Sequence, residues 1–260
     1  MKHSFLDVAA PIGIAHRGGA DDYPENTMRA FRSAYELGYR YLETDVHLTA
    51  DGVVVAFHDD ILDRVTNRSG RLADLTWDEI SEAEVTAQAS VSGVDRVPRM
   101  IDLFEAFPHA RFNIDAKSDD VLLPLLHLIR AADVIDRVCV ASFDHARLQL
   151  ARSTLGPELC TSASRRDVVM SFLRAFRLPV PVGDAHVLQP PARVGRFRVV
   201  GRRYVEQAHS DGRPVHVWTV DDPDDMTWLI DIGVDGVMTD RPALLKQVFT
   251  ERGVWATPTP

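Results

Sequence analysis

YLETDVHLTADGVVVAFHDD, residues 41–60, is the stretch on which the architecture turns. Glu43 and Asp45 lie two apart in an extended run flanked by Leu42 and Val46, so both carboxylates project from the same side of a strand. Asp51-Gly52 then supplies the strongest short hairpin signal between extended runs. A β-ribbon therefore rises from this strand and ends at His58. Two carboxylates on one side of a strand either sit in water or share a cation, since they otherwise repel each other. The rest of the chain decides between these.

Outward from this stretch, short β-branched runs alternate with longer helical patterns, the signature of βα units around a parallel sheet. Strands are expected at Gly13 to His16, Tyr41 to Val46, Arg111 to Asp115, Val138 to Phe143, Glu158 to Thr161, His186 to Gln189, Val215 to Val220 and Val234 to Thr239. That makes an α/β TIM (β/α)8 barrel the expected fold. "NTMRAFRSAYELG" places Met28, Phe31 and Tyr35 on one helical face and stops at Gly38; two later helices stop at Gly156 and Gly233. The rhythm breaks at roughly 47–98, read as a small insertion after the second strand. Within it, Thr76 and Glu79 of "LTWDEI" match a helix capping box. The "ATPTP" terminus reads as a frayed tail.

A chain of 260 residues suits a single barrel domain, 1–260, better than two domains. A formal net charge of -9 argues against nucleic acid as a partner, because phosphate contacts need clustered Lys and Arg. Cys139 and Cys160 sit in apolar runs and read as reduced, buried thiols, which points to a cytoplasmic location. No run reaches the roughly 20 apolar residues that span a bilayer, and the N-terminus lacks a signal-peptide core. The stretch "RVGRFRVVGRR", 193–203, reads as solvated arginine on an outer helix, with a phospholipid surface or a protein partner as the other reading.

In such a barrel the C-terminal ends of the strands carry the chemistry. His16 and Arg17 close the first strand, Asp115 closes the third and Lys117 follows it. Lysine occurs elsewhere only as Lys2 and Lys246, in a chain whose default cation is arginine. Glu43, Asp45 and Asp115 make an all-oxygen set suited to a hard ion such as Mg²⁺ or Ca²⁺ rather than Zn²⁺. His16 and His58 can divide the two proton transfers of a displacement. Arg17 offers a donor fork and Lys117 a point charge to phosphoryl oxygens. Together they meet the needs of phosphodiester cleavage.

The same residues carry a resemblance. "AHRGGADDYPENTMRAF", "GYRYLETDVHLTADGVVVAFHDDILDRVTNRSG", "LADLTWDEI", "VPRMIDLFEAF", "FNIDAKSD", "VASFD", "VHVWTVDDPDDM" and "GVDGVMTDRP" resemble, in order and spacing, the glycerophosphodiester phosphodiesterases. The resemblance implies a metal-dependent hydrolase with one divalent cation, releasing an alcohol and glycerol 3-phosphate from deacylated phospholipids. It implies His16 and His58 as the acid/base pair and Glu43, Asp45 and Asp115 as metal ligands. Arg17 and Lys117 are similar to its phosphate-facing cations. Trp218 resembles the aromatic residue bordering the pocket, a core indole being the other reading, and Phe143 reads as pocket wall or core. Glu25 and Asn26 are expected to brace the first loop, with the helix starting at Thr27. A small-molecule glycerophosphodiester is the implied partner; no oligomeric state is implied.

Two positions depart from that family. Asp115 stands where it usually has Glu, and similar sphingomyelin-cleaving phospholipase D enzymes use Asp, so a lysophospholipase D or sphingomyelinase D-like activity is the alternative. Asp221 stands where many members have Asn, and a more acidic rim should tolerate choline or ethanolamine better than an anionic headgroup. A barrel that binds phospholipid fragments without chemistry is the reading from another class.

Overall fold

The structure, a computed structural model, describes residues 3–86, 93–195 and 197–256. The expected tail therefore lies outside the described residues beyond Ala256. In chain order the strands are β1 (Ile12–Ala15), β2 (Tyr41–Leu48), β3 (Val54–Ala56), β4 (Glu84–Val85), β5 (Asp95–Arg96), β6 (Arg111–Ala116), β7 (Val138–Ala141), β8 (Cys160–Thr161), β9 (Arg193–Val194), β10 (Phe197–Arg198), β11 (His216–Val217) and β12 (Gly236–Thr239). The helices are α1 (Met28–Glu36), α2 (Trp77–Ser81), α3 (Met100–Ala106), α4 (Asp119–Ala131), α5 (His145–Leu155), α6 (Arg165–Ala175), α7 (Arg202–Ser210), α8 (Pro223–Ile232) and α9 (Pro242–Glu251).

The parallel strands run in the order β11-β12-β1-β2-β6-β7-β8. Residues 186–189, expected as the sixth barrel strand, close the ring by single bridges, Ser162 to Val187 on one side and Leu188 to Val215 on the other. His186 N–H donates to Thr161 O and Leu188 N–H to Pro214 O, both within 3.0 Å. The segment is too short and too bent into Pro190 and Pro191 for a continuous ladder, since proline donates no ladder bond. The result is the expected α/β TIM barrel.

Side chains alternate across each strand. Leu42, Val46, Phe112, Ile114, Val138, Val140 and Val217 pack outward beneath the helices. Ile14, Tyr41, Cys139, Cys160, Val187 and Met238 fill the barrel interior. Phe5, in a short 3₁₀ turn, plugs the N-terminal end, its ring edge-on to Tyr41. Cys139 and Cys160 are register partners on β7 and β8, both buried and both free thiols.

Local signals fixed the element ends. Thr27 Oγ1 accepts from Ala30 N–H and starts α1; Thr76 and Glu79 form the reciprocal capping box of α2. The excursion after β2 includes the antiparallel β3, α2 and the β4–β5 pair, and has its own core around Val55, Phe57, Leu62, Leu72 and Ile80. In the basic stretch, Arg193 and Arg198 both pair with Asp225 at the start of α8. Those arginines therefore fasten the β9–β10 hairpin to the barrel.

Candidate active site

Register brings the carboxylates together. Asp45 on β2 is the direct lateral partner of Asp115 on β6, and Glu43 is the partner of Asn113. Glu43 and Asp45 are 4% and 2% exposed, so water does not solvate them. His16 stands at the end of β1, in a 3₁₀ turn rather than within the expected strand.

That turn is conformationally demanding. Arg17 adopts the left-handed region at φ 52°, unusual for a side-chain-bearing residue. Its N–H donates to Glu43 Oε2 at 3.0 Å and its carbonyl accepts from Asn26 N–H at 2.8 Å. Gly18 follows at φ 81°, where an added Cβ would lie 2.8 Å from the Phe31 backbone nitrogen of α1. A helix backbone cannot yield as a side-chain tip can. Gly18→Ala is thus expected to destabilise the fold by about 1–3 kcal/mol, read as a lower urea midpoint. An unchanged midpoint would sink this account of the turn.

Both histidines are oriented by carboxylates. His16 Nδ1 lies 2.7 Å from Asp240 Oδ1, and His58 Nδ1 lies 2.6 Å from Asp59 Oδ1. A carboxylate accepts only, so each Nδ1–H donates and each Nε2 is left as the reactive nitrogen. Both rings line one cavity of about 160 Å³, with Arg17, Glu43, Asp45, Asp115, Lys117, Phe143 and Trp218. Every residue assigned a catalytic, phosphate-facing, metal-ligand or pocket role from the sequence is therefore in this one cavity wall. Burial opposes protonation of His16, but Glu43, 3.8 Å from Nε2, and the bond to Asp240 outweigh it and raise its pKa above 6.5.

Arg64 extends the His58 arm, bonding Asp59 Oδ2 at 2.5 Å and Glu25 Oε1 at 2.6 Å. Glu25 in turn accepts from Arg17 at 3.0 Å, so it braces the first loop as expected. Asn26 does the same through Thr44, whose hydroxyl donates to its Oδ1 at 2.8 Å. Arg17 Nε is 3.2 Å from Asp45 Oδ2, an ion pair without hydrogen-bond geometry. Asp240, Asp59 and Arg64 were not singled out in the sequence; adjacency to His58 was the available signal for Asp59.

Lys117 is not a free phosphate-facing charge. Its Nζ lies 2.6 Å from Asp45 Oδ1 and 2.9 Å from Asp115 Oδ2. It bridges the two register partners, and among the described residues no three acidic or histidine side chains close around one point. Among the described residues, Glu43 has no cationic side chain within ion-pair distance save His16. Burial, then the Asp45 charge, push Glu43 up to about 7. Glu43, Asp45 and Asp115 are an all-oxygen donor set of the kind that suits a hard divalent ion, and in this structure Lys117 and Arg17 supply the positive charge beside Asp45.

Trp218 donates through Nε1 to Gln189 O at 2.7 Å, and its ring centroid is 5.8 Å from that of the half-exposed Phe143. Both are pocket wall. Asp221 lines neither this cavity nor the one beside it. Its Oδ1 accepts from Thr239 Oγ1 and Asp240 N–H, both at 2.8 Å. Its charge steadies the loop that carries Asp240.

Residues 16–244 match the sequence model of the glycerophosphoryl diester phosphodiesterase family. A Mycobacterium tuberculosis protein named as a glycerophosphodiester phosphodiesterase is 36% identical, over 96% of this chain and 95% of its own. The glycerophosphodiester phosphodiesterase of Caldanaerobacter subterraneus is 34% identical, over 92% and 98%. A crystal structure from Silicibacter pomeroyi, described as a glycerophosphoryl diester phosphodiesterase, superposes with a TM-score of 0.83 at 25% identity, covering 98% of this chain and 100% of that one.

Proposed function

The chain belongs to the glycerophosphoryl diester phosphodiesterase family, and from that premise we infer that it hydrolyses glycerophosphodiesters to an alcohol and glycerol 3-phosphate. The observation that carries the reading is the pair of carboxylate-held histidines facing one cavity. One takes the proton of the attacking hydroxyl while the other returns a proton to the departing alkoxide. Neither ring needs to reorient, because Asp240 and Asp59 hold them already.

Arg17 and Lys117 face the non-bridging phosphoryl oxygens. Lys117 is drawn from its bridge by a phosphate that competes with Asp45 and Asp115 for its ammonium. Burial works against its charge, yet those two carboxylates keep its pKa above the usual value, so it is a cation in the bridge. Glu43, Asp45 and Asp115 would hold one divalent cation, Mg²⁺ or Ca²⁺, which when bound neutralises charge on the phosphoryl oxygens. No helix among the described residues is long and apolar enough to cross a membrane. With the buried free thiols, that is consistent with a cytoplasmic enzyme acting on a small, water-soluble diester.

The test is release of glycerol 3-phosphate from glycerophosphocholine by chelator-stripped protein, with Mg²⁺, Ca²⁺ or no ion restored. Release that requires an added ion is expected. Equal release without any ion would overturn the metal assignment, and no release with either ion would overturn the reaction.

A further inference from the structure

The cavity that holds the histidines adjoins a second of about 400 Å³ that includes Asp144, Arg147 and Arg165 in its wall. The two share Asp115, Lys117, Ser142 and Phe143. Lys117, in both walls, stands between the two spaces. Phe143, 46% exposed, is the partition: Trp218 is on one side, and the Arg165 guanidinium stands 4.9 Å from its ring centroid.

The cations of this second space are not equivalent. Lys117 is held by Asp45 and Asp115. Arg147 is held by Asp119, the Ala116 carbonyl and Ser142 Oγ. Asp144 spends its carboxylate capping α5, accepting from Arg147 N–H. Arg165 is exposed, and its backbone N–H donates to Phe143 O at 3.2 Å, which fixes the root of the side chain beside that ring. Among the described residues no carboxylate pairs with its guanidinium. It is a donor fork at the cavity edge with its hydrogen bonds unspent.

We propose that the second cavity receives the alcohol arm of the diester and that Arg165 selects alcohols carrying an oxyanion, a phosphate monoester or a carboxylate. This deepens the phosphodiesterase reading and rests on it. A guanidinium matches such an oxyanion with two parallel hydrogen bonds. A quaternary ammonium would instead seek the aromatic face of Phe143, and there it meets the positive charge already stacked on that ring. Asp221, bonded to Thr239 and the Asp240 N–H and lining neither cavity, does not supply the acidic rim on which a preference for choline or ethanolamine was expected.

The experiment compares kcat/KM for two soluble diesters: glycerophosphocholine, and a glycerophosphodiester whose second alcohol bears a phosphate monoester. Wild type is expected to prefer the anionic diester, less so as salt screens the exposed charge. Arg165→Ala should lower the anionic-to-choline ratio about tenfold, mainly through KM for the anionic diester, and Arg165→Glu should lower it further. Arg165→Lys, a point charge without the fork, should fall between wild type and alanine. Matching circular dichroism spectra establish that the variants fold. Turnover with a ratio unmoved in Arg165→Ala and Arg165→Glu overturns the subsite alone. No turnover of either diester by wild type overturns the phosphodiesterase reading and the subsite with it.

Discussion

Replacing His16 by alanine is expected to lower kcat by roughly 10²–10⁴-fold, the range for loss of a positioned general acid or base, without changing the secondary structure. His16 occupies a short turn whose backbone is held independently of its ring: Gly19 N–H donates to His16 O, and Arg17 is tied to Glu43 and Asn26. The ring itself makes one hydrogen bond, to Asp240. Removing it leaves the cavity open and the neighbouring carboxylates in place. The proton transfer is what is lost.

Asp240→Asn separates positioning from catalysis. An amide can accept or donate at Nδ1, so the ring is free to take the other tautomer and point a proton where a lone pair is needed. The single variant should lose much of what His16→Ala loses. The double variant His16→Ala/Asp240→Asn should be no slower than His16→Ala, since Asp240 acts through that ring and groups acting as a unit are not additive. Multiplicative losses in the double variant would assign Asp240 a role of its own, and a His16→Ala enzyme with undiminished kcat would remove the histidine from the mechanism.

What the sequence revealed, and what it hid, follows from the range of the forces involved. Alternation places Glu43 and Asp45 on one side of a strand, and helix caps at Thr27 and Thr76 depend on residues three positions away; such local rules are legible in one dimension. Lateral register is not. Nothing in the sequence says that Asp115 falls opposite Asp45, and that adjacency is why Lys117 turns inward to bridge them instead of standing free. Asp240 lies 224 positions from His16, and only closure of the ring makes it the partner of that imidazole. The sixth strand fails for a related reason: residues 186–189 have strand-like composition, but they run straight into Pro190 and Pro191 beside the short β8 and β11, so only bridges form. Asp221 was misplaced because strand-end position gives the layer of a residue, not the direction of its side chain.

Acidification from pH 7.5 to pH 4 is expected to cost the fold about 3 kcal/mol through His216 alone. His216 points into the barrel from β11, 2% exposed, with Nδ1 buried and without a hydrogen-bond partner. It packs so closely on Gly236 of β12 that a Cβ there would lie 2.7 Å from its Cδ2. Burial, opposed only by the more distant charge of Asp235, lowers its pKa from 6.5 to about 4. A base whose pKa is depressed on folding is favoured neutral in the native state. Its contribution is therefore complete above pH 6.5 and lost as the pH falls toward 4, with about 2 kcal/mol gone by pH 5. Buried Glu43 and Asp115, whose pKa values are raised, act in the opposite sense, so the wild-type curve mixes the terms. The difference between wild type and His216→Leu isolates the histidine. Leucine does not titrate, so whatever its stability at pH 7.5, the variant should lose about 3 kcal/mol less than wild type by pH 4 in urea unfolding. Parallel stability curves for the two proteins would mean that His216 is solvated or paired in solution, and that the lower half of the barrel admits water.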